Sequence, residues 1–481
     1  MKSSYILYLL LLFIIWCSHT FISAQKSKSQ TLSGASGVLH LEKLVPMNHT
    51  TTVHELEARD RARHARILRS FTTAGAIKFP LIGSFDPRLV GMYYTKIKLG
   101  SPPGEYNKLI DTGSDISWIS CSSCSNCPRT SGLGVEMNFY DRDNSSTSFV
   151  ISCSASICTS DECSETNQCP YCLHYADNSG TSGYFVSDLL YLDTFLRTSL
   201  IAKSSASIIF GCSTSRFGEL GLSDRAVDGI LGFGQQRLSI ISQLSSREIS
   251  AKSFSHCLKG EGSGGGILVL GESLHPSMVY TPLFHQSTGH YNVYLQSISV
   301  HGRILPIDPV AFANSGDRGT IIDSGTSLVY LVAEAYESVV NVITVVVSPS
   351  AKPITSAIDQ CYLISSSFSE NITEVFPTIS LNFAGDASMN LTPTNYLEDM
   401  GFFDGAAKWC FRFIRSDLSR TILGDVALKD RIIVYDLARQ RIGWANYDCS
   451  LLVNVSITFG TYDVTQASTI YHMLEIILLI L

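Results

Sequence analysis

Lys108-Leu109-Ile110-Asp111-Thr112-Gly113-Ser114 recurs in the second half of the chain as Gly319-Thr320-Ile321-Ile322-Asp323-Ser324-Gly325-Thr326. Each copy is an apolar strand running into Asp-(Thr/Ser)-Gly-(Ser/Thr). Each is answered further along by two apolar residues and a glycine, in Asp228-Gly229-Ile230-Leu231-Gly232 and in Thr421-Ile422-Leu423-Gly424-Asp425. The duplication predicts two similar lobes in one chain, each presenting one carboxylate. At a strand end, glycine lets backbone come close and offer amide donors to that carboxylate. The hydroxyls of Ser114 and Thr326 can bond the outer carboxylate oxygens. Two carboxylates brought to about 3 Å cannot both ionise cheaply, so the pair holds one proton over a wide pH range. One Asp can then serve as base and the other as acid. A single Asp-Thr-Gly is an ordinary turn capping a strand; two matched copies with two matched partners are not.

The surroundings agree with a mostly β chain. Short runs rich in β-branched and aromatic residues, such as 94–99, 206–210, 267–270 and 291–295, are separated by Gly, Pro, Ser and Asn. Few segments read as helices: 235–244 is one and 332–343 another. The 481 residues predict two or three packed units, and 35 Lys+Arg against 42 Asp+Glu give a net charge of −7. With no long basic block, nucleic acid is excluded as a partner.

Lys2, the apolar run from Tyr5 to Trp16 and the small residues ending at Ala24 read as a secretory signal, residues 1–24, and as too short for a membrane anchor. The expected location is the secretory pathway, ending outside the cell or at its surface, with the vacuole as the alternative. Asn48, Asn144, Asn371, Asn390 and Asn454 head Asn-X-Ser/Thr glycosylation sites. Residues 25–78 carry nine Lys/Arg and four acids, whereas everything beyond Lys78 sums to −13. That contrast suits a removable basic prosegment, residues 25–80, with an amphipathic helix over 52–68, lying on an acidic cleft; a solvated basic linker would have the same composition.

The duplicated motif, with Trp118 in Asp115-Ile116-Ser117-Trp118, Tyr175 in Tyr175-Ala176-Asp177-Asn178-Ser179-Gly180-Thr181, and the C-terminal run from Ile422 through Val434-Tyr435-Asp436 to Ile442-Gly443-Trp444-Ala445, resembles the pepsin-like aspartic endopeptidases. The resemblance is to the plant-type, nepenthesin-like group and runs from about Gly91 to Cys449. It implies two β-barrel-like lobes (91–260 and 267–450) with a cleft between them, polypeptide substrates, an acidic working pH, no cofactor and no metal. Asp111 and Asp323 would be the catalytic pair, supported by Thr112, Gly113, Ser114, Ser324, Gly325 and Thr326. Thr112 and Ser324 would interlock beneath the pair. Tyr175 would be the flap tyrosine and Trp118 the aromatic behind it. Plant-type flaps usually read Tyr-Gly-Asp-Gly; Ala176 and Asn178 in place of both glycines should stiffen this one.

Cys121, Cys124, Cys127, Cys153, Cys158, Cys163, Cys169 and Cys172 fall in the segment 121–172. Taken alone, Cys121-x-x-Cys124-x-x-Cys127 could hold zinc. The secretory signal and the cysteine-rich insert of the nepenthesin-like group point to disulfides. Cys172, outside the family pattern, is the candidate free thiol. Cys361 and Cys410 are expected to pair and to stabilise by roughly 3–4 kcal/mol. His174, His285, His290 and His301 lack ligand spacing and read as isolated surface or strand residues. The Gly-rich run 260–266 reads as a link between lobes. The tail, 451–481, ends in an apolar stretch from Ile470 that reads either as a lipid-anchor signal, attaching the chain to membrane at a residue such as Ser456 or Gly460, or as a tail that packs or frays. A monomer suffices for catalysis. Beside an endopeptidase, the other readings are a catalytically silent pepsin-like binding or inhibitor protein and a structural glycoprotein, for which only the tail speaks.

Overall fold

The computed structural model describes residues 38–39, 77–84, 92–159, 163, 166–195, 201–260, 264–284, 289–315, 318–355, 360–364, 371–451, 453 and 455–456. The signal, the helix expected over 52–68, Asn48, Asn454, His285 and the apolar tail lie outside these residues.

Two β lobes repeat one strand arrangement. In the first, Gly104–Asp111 runs antiparallel to Met92–Leu99 and parallel to Gly229–Gly232, with Asp111 beside Gly232. Gly229–Gly232 is antiparallel to Trp118–Ser120, which in turn is parallel to Ile201–Phe217. In the second, Gly319–Ile322 runs antiparallel to Tyr291–Val293 and parallel to Arg420–Leu423, with Ile322 beside Leu423. Arg420–Leu423 is antiparallel to Val329–Val332, which is parallel to Phe413–Ser416. The answering Gly-Ile-Leu-Gly and Thr-Ile-Leu segments are therefore the parallel neighbours of the two Asp-bearing strands. Such strands are covered on both faces, which explains why they read as continuous apolar runs.

The lobes share a sheet. Ser253–Leu258 pairs with Gly266–Leu270 on one side and with Arg431–Asp436 on the other, and Arg431–Asp436 continues through Arg441–Asn446 to Val279–Phe284. The Gly-rich run does not link the lobes as its composition suggests. Its flanks are the two strands of one hairpin in the shared sheet, with Leu258 facing Gly266. Cys257 on that sheet is bonded to Cys449. Strand Ile77–Ser84 crosses residue 80, the expected end of the prosegment, with Ile77, Phe79 and Leu81 buried and Ile82 paired to Tyr94.

Of the segment 235–244 only the end is helical: the helix is Ile240–Ser246, capped by the Ser239 hydroxyl accepting the Ser242 N–H at 3.3 Å. The residues before it are held elsewhere, the Gln235 N–H by Gly289 O and the Gln236 N–H by Asp115 Oδ1. Ala333–Val347 is the longest helix among the described residues, and Ala335, Val339, Ile343 and Val347 form its buried stripe at every fourth position. Ile343→Ala is expected to cost about 2–5 kcal/mol, and Val345→Ala on the solvent face less than about 0.5 kcal/mol. Urea unfolding midpoints with disulfides intact decide this, and equal shifts would mean that the stripe is not what anchors the helix.

Candidate active site

Each Asp-Thr/Ser-Gly segment leaves its strand in a turn that folds back on its own carboxylate. Asp111 Oδ1 accepts the Gly113 N–H at 2.8 Å, and Oδ2 accepts the Ser114 hydroxyl. Asp323 Oδ1 accepts the Gly325 N–H at 2.8 Å, and Oδ2 accepts the Thr326 hydroxyl at 2.6 Å. The lobes meet here. A Cβ on Gly113 would lie 2.6 Å from Asp323 Cγ, and one on Gly325 would lie 2.8 Å from Asp111 Cγ, so each glycine backs onto the other lobe's carboxylate. Underneath, the Ser324 N–H donates to Thr112 Oγ1 at 2.8 Å and the Thr112 N–H to Ser324 Oγ at 3.3 Å, while the Ser324 hydroxyl donates to Ile110 O. Burial first, and then the facing Asp323 charge, push Asp111 up to about 7 against the opposing bonds from Ser114 and Gly113. The pair thus keeps a proton far above the ordinary carboxylate range.

The hairpin Pro170–His174 with Gly180–Phe195 carries in its turn Tyr175, whose hydroxyl lies near Asp111. The Trp118 indole N–H donates to the Tyr175 hydroxyl at 2.8 Å, and the same hydroxyl meets Ser114. Burial, then the Asp111 charge, holds the phenol well above its usual value. Asn178 sits at φ 63°, a left-handed position that Asn tolerates, and Asp177 Oδ1 accepts both the N–H and the hydroxyl of Ser179.

Cys121 pairs with Cys212, which lies outside the cysteine-rich segment; Cys124 pairs with Cys127, Cys153 with Cys163, Cys158 with Cys169, and Cys361 with Cys410. Cys172 is free and exposed on strand Pro170–His174, its sulfur 3.5 Å from His174 Nε2. Asn144, Asn371 and Asn390 are exposed. His174 and His301 are exposed too, but His290 is not the isolated strand residue its spacing suggested. The register that sets Tyr291 against Ile322 brings it beside Asp323, and burial lowers the basicity of its ring. Asp425 is a second residue whose role the motif did not reveal: it is buried, near both Asp111 and Asp323, and neither of its carboxyl oxygens has a partner.

Family models described as xylanase inhibitor N-terminal and C-terminal match residues 93–272 and 290–446. Aspartic proteinase 36 of Arabidopsis thaliana is 36% identical over 415 residues, covering 83% of this chain and 82% of its own. The chain belongs to the plant pepsin-like aspartic proteinases. Nepenthesin-1 of Nepenthes gracilis, an aspartic proteinase, is 30% identical over 372 residues, covering 75% of this chain and 78% of its own. Among solved structures, edgp aligns with a TM-score of 0.61 at 18% identity, covering 79% of this chain and 97% of its own, and basic 7S globulin from soybean with 0.60 at 17%, covering 78% and 97%. These likenesses carry the bilobal pepsin-like fold.

In this aspartic proteinase fold the buried acids are unusually proton-rich. Besides Asp111, burial raises Asp115 and Asp228 to about 6 each and Asp425 well above its ordinary value, the last reinforced by Asp323 and Asp111. A carboxyl whose folded pKa exceeds its unfolded value contributes stability that is complete below about pH 4 and lost as pH rises through the folded pKa. His256, lowered to about 3 by burial, and His290, lowered mainly by burial, act oppositely. Four groups against two leave the native state with more protons than the unfolded chain between about pH 4.5 and 6, worth about 1.4 kcal/mol per pH unit for each net proton. The expected outcome is a Tm that falls by several degrees from pH 4.5 to pH 6.5. A Tm rising across that window in a thermal unfolding series would contradict the electrostatic account.

Proposed function

We propose that this protein is an endopeptidase that hydrolyses internal peptide bonds of polypeptides at acidic pH, with Asp111 and Asp323 as the catalytic residues. The observation that carries the reading is the pair of carboxylates, each bonded by its own glycine amide and hydroxyl and each backed by the other lobe's glycine. A water shared by the pair loses a proton to the ionised carboxylate as its oxygen attacks the scissile carbonyl carbon. The protonated carboxyl gives its proton to the carbonyl oxygen. The resulting gem-diol collapses, breaking the C–N bond while a proton passes to the leaving nitrogen, and the dyad returns to one shared proton. No bond to the protein forms. The dyad titrates as a unit, so its competent state lies between a low first and a higher second ionisation.

Asp111→Asn and Asp323→Asn should each lower turnover on a denatured protein by several orders of magnitude, roughly the scale of losing an acid–base group and its water together, while thermal unfolding stays cooperative. The wild-type rate should fall as pH rises above about 6–7, following the loss of the shared proton. Ser324→Thr keeps the hydroxyl under the dyad and should be tolerated. Ser324→Ala strands the buried Thr112 N–H, a cost of about 1–3 kcal/mol, and should slow turnover. Near-wild-type activity in either Asn variant, or a rate that climbs through pH 7–8, would rule out the dyad.

The secretory pathway, glycosylation at the exposed sequons, a lipid-anchored tail and a removable prosegment belong to the same reading. The +5 segment covers a −13 remainder at neutral pH and is released as carboxylates protonate. The purified precursor should shorten at pH 3–4 to a new N-terminus between Ser70 and Met92. Full activity at pH 5 with no shortening would defeat this part. A second reading, a silent binding or inhibitor protein, is favoured by the description of the matching family models. It conflicts with the intact dyad and hydroxyls, and a statine peptide that failed to bind at pH 4 would bring it forward.

A further inference from the structure

The four-residue ring closed by Cys124–Cys127 carries Asn126 at its tip. Its side-chain amide grips one residue of the neighbouring long strand from both sides: Asn126 Nδ2 donates to Arg216 O at 2.7 Å, and Asn126 Oδ1 accepts the Arg216 N–H at 3.1 Å. Trp118–Ser120 pairs with this strand only as far as Ser213, so Asn126 replaces a strand neighbour just where the ladder runs out. On its other edge Arg216 lies opposite Thr181, at the base of the flap's returning strand.

The Arg216 side chain turns inward and is 2% exposed. Its Nη2 donates to Val227 O at 2.9 Å and Asp228 O at 2.8 Å, and its Nε has no partner. The Asp228 carboxylate does not neutralise it by direct contact, because that group accepts the Asn107 and Asn138 N–H bonds, both at 2.7 Å. A buried guanidinium held only by carbonyls is a costly way to stabilise a fold. What its position does achieve is contact with the flap apparatus: its central carbon lies 4.6 Å over the Trp118 ring, whose N–H holds the Tyr175 hydroxyl.

We propose that the Cys124–Cys127 ring is a positioning device for the flap, in which Asn126 fixes Arg216, Arg216 fixes the face of Trp118, and Trp118 sets the Tyr175 hydroxyl beside Ser114 and Asp111. Arg216 and Asn126 are positioning residues, acting on substrate only through Trp118 and Tyr175. The ring's disulfide keeps Asn126 poised without burying an apolar core of its own. This inference deepens the endopeptidase reading and rests on it for its kinetic consequence.

The test uses the processed, disulfide-intact protein, with active sites titrated by a statine peptide. Arg216→Ala should lower kcat/KM per titrated site by roughly tenfold, and Arg216→Lys, which can keep a cation over the ring, should recover part of it. Asn126→Ala, a surface change that leaves the core intact, should lower it by roughly threefold. In a Tyr175→Phe background the further loss from Arg216→Ala should shrink to less than about twofold, because both changes break one chain of contacts. Amide exchange of residues 175–180 should be faster in both Arg216→Ala and Asn126→Ala. A purely structural role would reduce the number of titratable sites while leaving kcat/KM per site unchanged and the Tyr175 cycle additive; either of those results overturns the proposal. If the wild type neither cleaves nor binds statine in acid, the endopeptidase reading falls by itself. Flap exchange then decides the positioning role alone, with unchanged rates in both variants overturning it.

Discussion

Two carboxyl groups pressed together across a lobe boundary form the constraint that the rest of the molecule serves. Neither Asp111 nor Asp323 could approach the other if Gly113 or Gly325 carried a side chain, and neither would keep its orientation without its own amide and hydroxyl donors. The backbone bonds between Thr112 and Ser324 tie the two turns together directly beneath the pair. The shared sheet then fixes the lobes, as Ser253–Leu258 and Arg431–Asp436 pair residue for residue and Cys257–Cys449 closes over it. Tyr435 from that sheet stacks on Phe254 at 4.3 Å and meets Tyr291 at 4.6 Å, so aromatic packing continues from the shared sheet to the strand beside Asp323.

The same constraint explains the electrostatics. Burying a like-charged pair is affordable only if a proton stays, and Asp425, close to both members with no bond to either oxygen, adds a third acid that is neutral for the same reason. A fold that holds protons in its interior is most stable where they are supplied, which is the pH dependence expected of this chain. Its surplus of acids beyond Lys78 acts in the same direction on stability, because protonation relieves the self-repulsion of a −13 remainder.

How much of this was legible in the sequence depended on whether the information was local. The duplicated turns and their hydroxyls each reside in a few contiguous residues, whereas the partners in the Thr112–Ser324 interlock and the Trp118–Tyr175 contact lie 212 and 57 residues apart and were implied by the family resemblance alone. What escaped was set by register between distant strands. His290 reads as a strand histidine until Tyr291 is found against Ile322, and Arg216 reads as one more polar residue until Asn126 and Trp118 are found on either side of it. Cys121 reaches across 91 residues to Cys212, beyond any spacing rule for the insert. The Gly-rich run misled for a related reason: flexibility is visible in composition, but whether it separates two domains or turns one hairpin is decided by the partners of the flanking strands.

The hairpin turn at 175–179 rests on a conformational point. Where the family pattern places glycine, Asn178 adopts φ 63°, so the left-handed turn is kept by one of the few residues with a side chain that can enter it. The Asp177 carboxylate then bonds the N–H and hydroxyl of Ser179, and Tyr175 and Ser179 close the turn through the Tyr175 N–H and Ser179 O at 2.8 Å. Glycines at 176 and 178 would leave the tip many conformations to lose on meeting a ligand; Ala176 and Asn178 restrict that freedom in advance. At the base of the hairpin the strand beginning at Gly180 pairs with Arg216 and Phe217. There a Cβ on Gly180 would clash with Leu173 O and Phe217 Cζ, so glycine is what lets the two hairpin strands and the Phe217 ring pack this closely, while the Trp118 bond to Tyr175 holds the other end of the turn.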